Sequence, residues 1–362
     1  MIATIQSAYF FLYKGLLIIN LYFHSFHLIL ITIRYHKIFV NAGNFINVNP
    51  YPNFGFYFST FLFQLKRAFI QLHIAVFLGG FSAIFGKLIG LNESLLTFYR
   101  MLLSAIIFGA ILIFRKSFYK PAGKDMLRLF GVGAIIALHW ISFYGSIKYS
   151  NVSVSVTCLS AAGFFTSIFE PLITKKKIDL AEVALGILAI TGIYLIFNFY
   201  PEYKTGIIFG IIAAMMSSIF PIINKKILVD FSPNTVTLYE MTGGSIALCL
   251  ILPAYLHFFP ATYFIPTYTD LLWLLILAGA CTVVAFNLSL NSLKHVSAFT
   301  TNLTYNFEPV YSIILAFLIF KENKFLGPGF YYGFTLILLA ISLQMLRIYK
   351  ERKGGIHIQL VK

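Results

Sequence analysis

Charge is what this sequence has least of. Asp, Glu, Lys and Arg make up 11% of the chain, against 59% hydrophobic residues. A soluble globular domain carries about 25% charged and about 45–50% apolar residues. So little polar surface cannot cover a water-soluble core, which excludes an ordinary globular protein. Cysteine is also rare. Cys158, Cys249 and Cys281 stand far apart and form no CxxC pair, so neither a disulfide framework nor a metal site is implied. They read as small packing residues. The sequence holds no HExxH, no GxSxG and no Walker segment. No His shares a helical face with a carboxylate at metal-ligand spacing. An enzyme, a cofactor and a metal are therefore not expected. Without an ATP-binding domain, an autonomous pump is not expected either.

What is present comes in blocks. Apolar runs of roughly 20 residues alternate with short polar breaks, and about 20 helical residues cross the roughly 30 Å hydrocarbon layer. A helix satisfies its own backbone in lipid, whereas the 10-residue alternation of an outer-membrane barrel is not visible. The runs predict an all-α integral membrane protein with spans at 70–90, 94–114, 127–147, 151–173, 178–197, 205–224, 234–256, 270–292, 296–319 and 326–347. The links are too short for a folded domain outside the bilayer, so any function lies within the bundle.

The net charge of +15 invites a nucleic-acid reading, but its distribution argues against one. Loops on one side hold Arg115, Lys116, Lys120, Lys124, Arg128, Lys175 to Lys177, Lys225, Lys226 and Lys294, and the tail adds more. The other side holds Lys148, Lys204, Lys321 and Lys324. By the positive-inside rule both ends of the ten-span core face the cytoplasm, as expected of a multi-pass protein of the plasma (inner) membrane. The partner this charge implies is the lipid bilayer, not nucleic acid.

Residues 1–69 have no counterpart elsewhere in the chain. Residues 15–33 read either as an eleventh span, weakened by His24 and His27, or as part of a poorly ordered hydrophobic extension. They lack the basic start and small-residue cleavage site of a signal peptide.

The second half repeats the first. Ser82-Ala-Ile-Phe85 recurs as Ser217-Ser-Ile-Phe220, and Thr97-Phe-Tyr-Arg-Met101 as Thr237-Leu-Tyr-Glu-Met241. Gly133-Ala134 recurs as Gly279-Ala280, and Ser146-Ile-Lys148 as Ser292-Leu-Lys294, the last two pairs at an offset of 146. Matches in the same order mark a duplication. The expected units are a five-helix repeat at 70–200, a second at 201–350 and a basic tail at 351–362. An odd number of spans per half inverts the second half relative to the first. Inverted repeats are common in secondary transporters, whose substrate sites lie near the midplane.

Here the chain resembles the EamA-like branch of the drug/metabolite transporter superfamily. The resemblance rests on Arg100 in TFYRM and on Pro309 to Glu322 in NFEPVYSIILAFLIFKEN, and it covers roughly 70–350. The first half departs from the pattern, with Gly163 and Lys176 in the places of Pro309 and Glu322. Such a family includes exporters of amino acids and other metabolites, so the resemblance implies a class of activity rather than one substrate. Multidrug or amphiphile efflux, a passive channel and a scaffold remain as alternatives.

A charge at the centre of a span costs about 2.5–3.5 kcal/mol on insertion scales, so each one asks for a reason. Glu308 lies midway along the ninth span beside Pro309, on a stripe with Ser297, Thr301, Thr304, Tyr305 and Ser312 at helical spacing. Asn302 and Asn306 extend that polar wall. The stripe suits a cavity in which Glu308 binds a proton or a cationic group; the plainer alternative is a protonated Glu bonded to a neighbouring helix. Pro309 reads equally as a functional break and as a simple kink.

Arg100 and Glu240 occupy matching repeat positions, each about 9 Å inside its span at 1.5 Å per residue. They are expected to gate opposite sides, with Tyr99 and Tyr239 beside them, or else to reach the interface along their own stems. His139 and Trp140 sit mid-span and suit a pocket wall, or simple packing. Lys87 is expected to snorkel. The GxxxG pairs Gly206/Gly210 and Gly329/Gly333 mark close packing and leave a homodimer open.

Overall fold

A computed structural model describes residues 54–296, 301, 304–305 and 307–354, apart from the side chains of residues 54–62, 345 and 348–354. The segment 15–33 and Ser297, Asn302 and Asn306 lie outside the described residues. The chain divides into two compact units, residues 64–341 and residues 1–63 with 342–362. The described parts of the second unit are helical. Apart from the ends of the first and last helices, all that follows concerns the first unit.

The regular elements among the described residues are all helical, with no strand. The helices are α1 (Phe54–Leu88), α2 (Glu93–Phe114), α3 (Gly123–Tyr149), α4 (Val152–Leu159), α5 (Ala162–Thr174) and α6 (Leu180–Phe199). The second half holds α7 (Lys204–Ile227), α8 (Pro233–Phe258), α9 (Tyr268–Ala278), α10 (Ala285–Leu293), α11 (Glu308–Phe320) and α12 (Pro328–Gly354). Among the described residues eight stretches are long and apolar enough to cross a membrane, and two shorter apolar helices, Glu308–Phe320 and Pro328–Gln344, are roughly consistent with the ten expected. This is an all-α integral membrane fold.

Local chemistry sets the boundaries. The Asn92 side chain accepts from the Ser94 amide and starts α2, Asp179 caps α6, and Ser232 followed by Pro233 opens α8. Thr267 and Asp270 form a reciprocal capping box at α9. The first helix starts at Phe54 rather than at 70.

Two expected spans are not continuous helices. The fourth breaks at Ser160–Ala161 into α4 and α5, and the eighth carries a π-helical turn at Gly279–Val284 between α9 and α10. Hydropathy registers neither, because both breaks leave the apolar run intact.

The breaks expose the duplication in the backbone. Ala162 and Glu308 each open a 13-residue helix, and Lys175 and Lys321 each close one at φ 57° and 55°. Both separations are 146 residues, the offset of the sequence repeat. A left-handed closing residue is usually glycine, so two lysines at matching places mark a shared ancestor geometry.

Helix α3 packs along α7 and α8, and α2 lies on α8. The α3–α8 crossing is set by glycine: a Cβ on Gly133 would stand 2.1 Å from the Glu240 carbonyl oxygen. The GxxxG glycines are used inside the chain. Gly206 and Gly210 meet Ser150 and Cys158, while Gly329 and Gly333 meet Phe199 and Gly192. Those surfaces are already occupied, so they give a homodimer no support.

The two ends of the bundle are built differently. At the Lys87 end, Lys87 donates to Glu322 Oε1 at 2.7 Å and lies 4.5 Å over Phe320, so it pairs with an acid rather than snorkelling alone. There Tyr255 donates to Glu93 at 2.7 Å, and Lys148 donates to the Ile89 carbonyl at 3.0 Å. Asp270 accepts from the Gly90 amide and from Tyr263, whose phenol is pushed up to about 12 by burial and by that carboxylate. At the Lys225 end, Lys225 donates to the carbonyls of Leu293, Lys294 and Val296, closing the last turn of α10. Lys226 does the same for Ile173 of α5.

Candidate functional site

A cavity of about 120 Å³ is lined by residues of both repeats. At roughly 10–15 Å³ per water by the same measure, it has room for on the order of ten waters. Both halves contribute: Gly79, Ser82, Arg100 and Trp140 from the first, Phe220, Asn224, Phe286 and Glu308 from the second. The lining continues toward the Lys225 end through Leu293 and Thr301. At the Lys87 end the ion pair and capped helix termini lie beyond it.

Arg100 is the cation of this cavity, and only 3% of it is exposed. Its Nε donates to Thr282 Oγ1 at 2.8 Å, one terminal nitrogen donates to Ser82 Oγ and Tyr144 OH, and the other reaches the Cys281 carbonyl at 3.3 Å. The guanidinium lies 3.7 Å over the Trp140 ring, a stacked arrangement suited to Arg. Of its five N–H donors, four are engaged and one is left. The Cys281 carbonyl is available because the chain is π-helical there, and π-turns often sit at functional sites. Arg100 is thus held in the interior and does not reach an interface.

Glu308 opens α11 opposite Gly79. A Cβ on Gly79 would come within 3.3 Å of the carboxyl, so glycine makes its room on α1. No residue within ion-pair distance joins Glu308 among the described residues, although Arg100 lines the same cavity. Its repeat partner, Ala162, lines the cavity too. The site is therefore built by a symmetric backbone and made asymmetric by one carboxylate. Thr301, Tyr305 and Ser289 stand in the same lining. Pro309 also lines the cavity at the helix break.

His139 lines the wall and is also packed: its Nδ1 is 2.8 Å from the Ala213 carbonyl, and it stacks on Phe143. The remaining expected residues lie elsewhere. Tyr99 donates to the Phe264 carbonyl at the Lys87 end, while Tyr239 stacks on Phe130 between α3 and α8. Glu240 is fully buried on α8 and accepts from Asn224 Nδ2 at 3.3 Å. It forms no ion pair with Arg100.

Sequence reasoning missed Tyr144, Thr282 and Asn224. Thr282 is a partner because Arg100 faces the π-turn of the second half, and Tyr144 because α3 packs beside α2. Asn224 had one available signal, an amide one residue before two lysines at a helix end.

The sequence profile described as the EamA-like transporter family matches residues 66–198 and again 204–346. An uncharacterized transporter of Clostridium kluyveri is 24% identical over 282 residues, which cover 72% of this chain and 87% of that protein. Two uncharacterized transporters of Archaeoglobus fulgidus are similar at 24% and 22% identity, covering 69% and 70% of this chain and 86% and 89% of their own. A solved crystal structure superposes with a TM-score of 0.56 over 78% of this chain and 98% of its own, at 15% identity, a likeness of fold alone.

Proposed function

The chain belongs to the EamA-like transporter family and is a membrane transporter of small molecules; from that premise we propose that it is a secondary carrier of amino acids or closely related zwitterions. The observation that carries this reading is the pairing of Arg100 and Glu308 in one cavity without a direct ion pair between them. A small zwitterion presents the complement of such a site. Its carboxylate takes the remaining N–H of Arg100, and its ammonium takes the Glu308 carboxylate. The aromatic wall of Trp140, Phe220 and Phe286 receives the side chain. Space for on the order of ten waters suits a molecule of that size better than a nucleotide sugar.

Transport by alternating access fits the two differently built ends. The lining runs toward the Lys225 end, and the Lys87–Glu322 seam stands on the other side. Rocking one repeat against the other would reverse this arrangement around a fixed site. The charge of the loops favours the plasma membrane, with both ends of the ten-helix core in the cytoplasm. Export driven by a proton gradient is the expected direction and energy source. A second reading, efflux of cationic amphiphiles, is favoured by the same aromatic wall around a lone carboxylate.

Counterflow in proteoliposomes tests both readings. Vesicles preloaded with unlabelled amino acids should concentrate labelled ones, and Glu308→Gln should reduce this at least tenfold. Exchange of labelled amphiphilic cations but not of amino acids would replace the first reading with the second.

A further inference from the structure

Glu240 and Asn224 share one hydrogen bond and one deficit. Asn224 Nδ2 donates to Glu240 Oε2 at 3.3 Å, yet Glu240 Oε1 and Asn224 Oδ1 are both buried without a partner. Both orphans are acceptors, and both belong to planar groups already joined at their other corner. A single hydrogen on Oε1, donated to Oδ1, completes the two-bond ring of a carboxylic acid with an amide.

The surroundings supply no other remedy. Helix α3 presents Gly133 and Phe130 to this stretch of α8, and α2 presents Met101. On α7, Lys225 and Lys226 turn away to main-chain carbonyls. No ion pair to Glu240 is present among the described residues. An ionised carboxylate that is buried and unpaired carries a heavy desolvation penalty, and a proton removes it.

Asn224 also lines the cavity, so the pair lies one side chain from the substrate space. We propose that Glu240 is the proton-carrying group of the transport cycle, held as a carboxylic acid by Asn224 in this state. Reorientation that admits water to Asn224 breaks the ring. The acid then releases H⁺ to that water and is left as carboxylate, to be protonated again from the opposite side. Glu308 is thereby left to the substrate, and the number of protons moved per cycle is one. This inference rests on the carrier reading above.

Infrared spectroscopy of the full-length protein in lipid vesicles at neutral pH tests the pair without any substrate. The difference spectrum between wild type and Glu240→Gln should contain a protonated carboxyl C=O band, which shifts in Asn224→Leu. Gln can form the same two-bond ring with Asn224, so that variant should fold. A spectrum showing instead a lost carboxylate band would overturn the proposal. Transport gives the second readout. Accumulation of labelled amino acids driven by a pH gradient should fall at least tenfold in Glu240→Gln relative to its own exchange rate. An undiminished gradient response would also overturn it. Wild-type vesicles that neither exchange nor accumulate amino acids or amphiphilic cations would sink the carrier reading instead, while the infrared band would still decide the pair.

Discussion

Lys87 on α1 and Glu322 just past α11 meet at 2.7 Å, although 235 residues separate them in the chain. The same carboxylate accepts from the amides of Val152 and Ser153 and from the Ser153 hydroxyl, so it caps the first turn of α4. One side chain thus ties three helices at one end of the bundle. A negative charge is favourable at a helix N-terminus, and hydrogen bonds to a charged group are stronger than neutral ones.

Glu322→Ala should therefore destabilise the protein more than Lys87→Ala. The first leaves two amides and a hydroxyl unpaired, at about 1–3 kcal/mol for each buried group left unsatisfied. The second removes an ion pair and a ring contact of a lysine that is 35% exposed, together worth about 1–2 kcal/mol or less. Thermal unfolding of both variants in detergent checks the order. Equal losses would mean that the ion pair, and not the helix cap, is the main contribution.

Gly133→Ala should be strongly destabilising while Gly131→Ala, two residues away on the same helix, should not. A Cβ at Gly133 would stand 2.1 Å from the Glu240 carbonyl and 2.8 Å from the Gly244 amide, both rigid backbone. Overpacking of this kind costs about 1–3 kcal/mol or more. At Gly131 nothing lies within 4 Å, so Ala should gain up to about 1 kcal/mol from helix propensity. Unfolding midpoints of the two variants decide this.

The architecture was legible in the sequence because its signal is redundant. Each span repeats the apolar pattern over many residues, and Gly133/Gly279 and Ser146/Ser292 fix the offset that reappears at Ala162/Glu308 and Lys175/Lys321. Glu308 and Trp140 were legible as midplane polar and aromatic residues, and the structure brings both to one cavity. Arg100 was placed at a gate or an interface because depth along a helix says nothing of rotation about it. The π-turn at Gly279–Val284 and the break at Ser160–Ala161 carry no mark in hydropathy, and the Tyr144, Thr282 and Asn224 partners depend on them or on helix crossings. Glu322 stood out only through the family resemblance, since its partners come from α1 and α4.

Arg100→Lys should behave as a drastic change. Lysine brings three donors on a flexible stem, so it cannot hold Thr282, Ser82, Tyr144 and the Cys281 carbonyl together while covering Trp140. The expected loss is about 1.5–3 kcal/mol of stability for each hydrogen bond of the guanidinium that lysine does not replace. Exchange of labelled amino acids should fall at least tenfold. Retained exchange with lowered stability would make Arg100 a structural tie rather than a carboxylate receptor.

The three cysteines offer a test of the cavity that needs no substrate. Cys281 lines the cavity, Cys158 is buried against Gly210 of α7 and is not part of the lining, and Cys249 is exposed. In a Cys249→Ser background, a small membrane-impermeant methanethiosulfonate should modify Cys281 when added from the side that bears Lys175 to Lys177. From the opposite side it should react at least tenfold more slowly, because the Lys87–Glu322 seam intervenes. Cys158 should stay unmodified from both. Glu322→Ala weakens that seam and should raise the slower rate. Equal labelling of Cys281 from both sides in the wild-type background would mean a continuous pore and would remove the argument for alternating access.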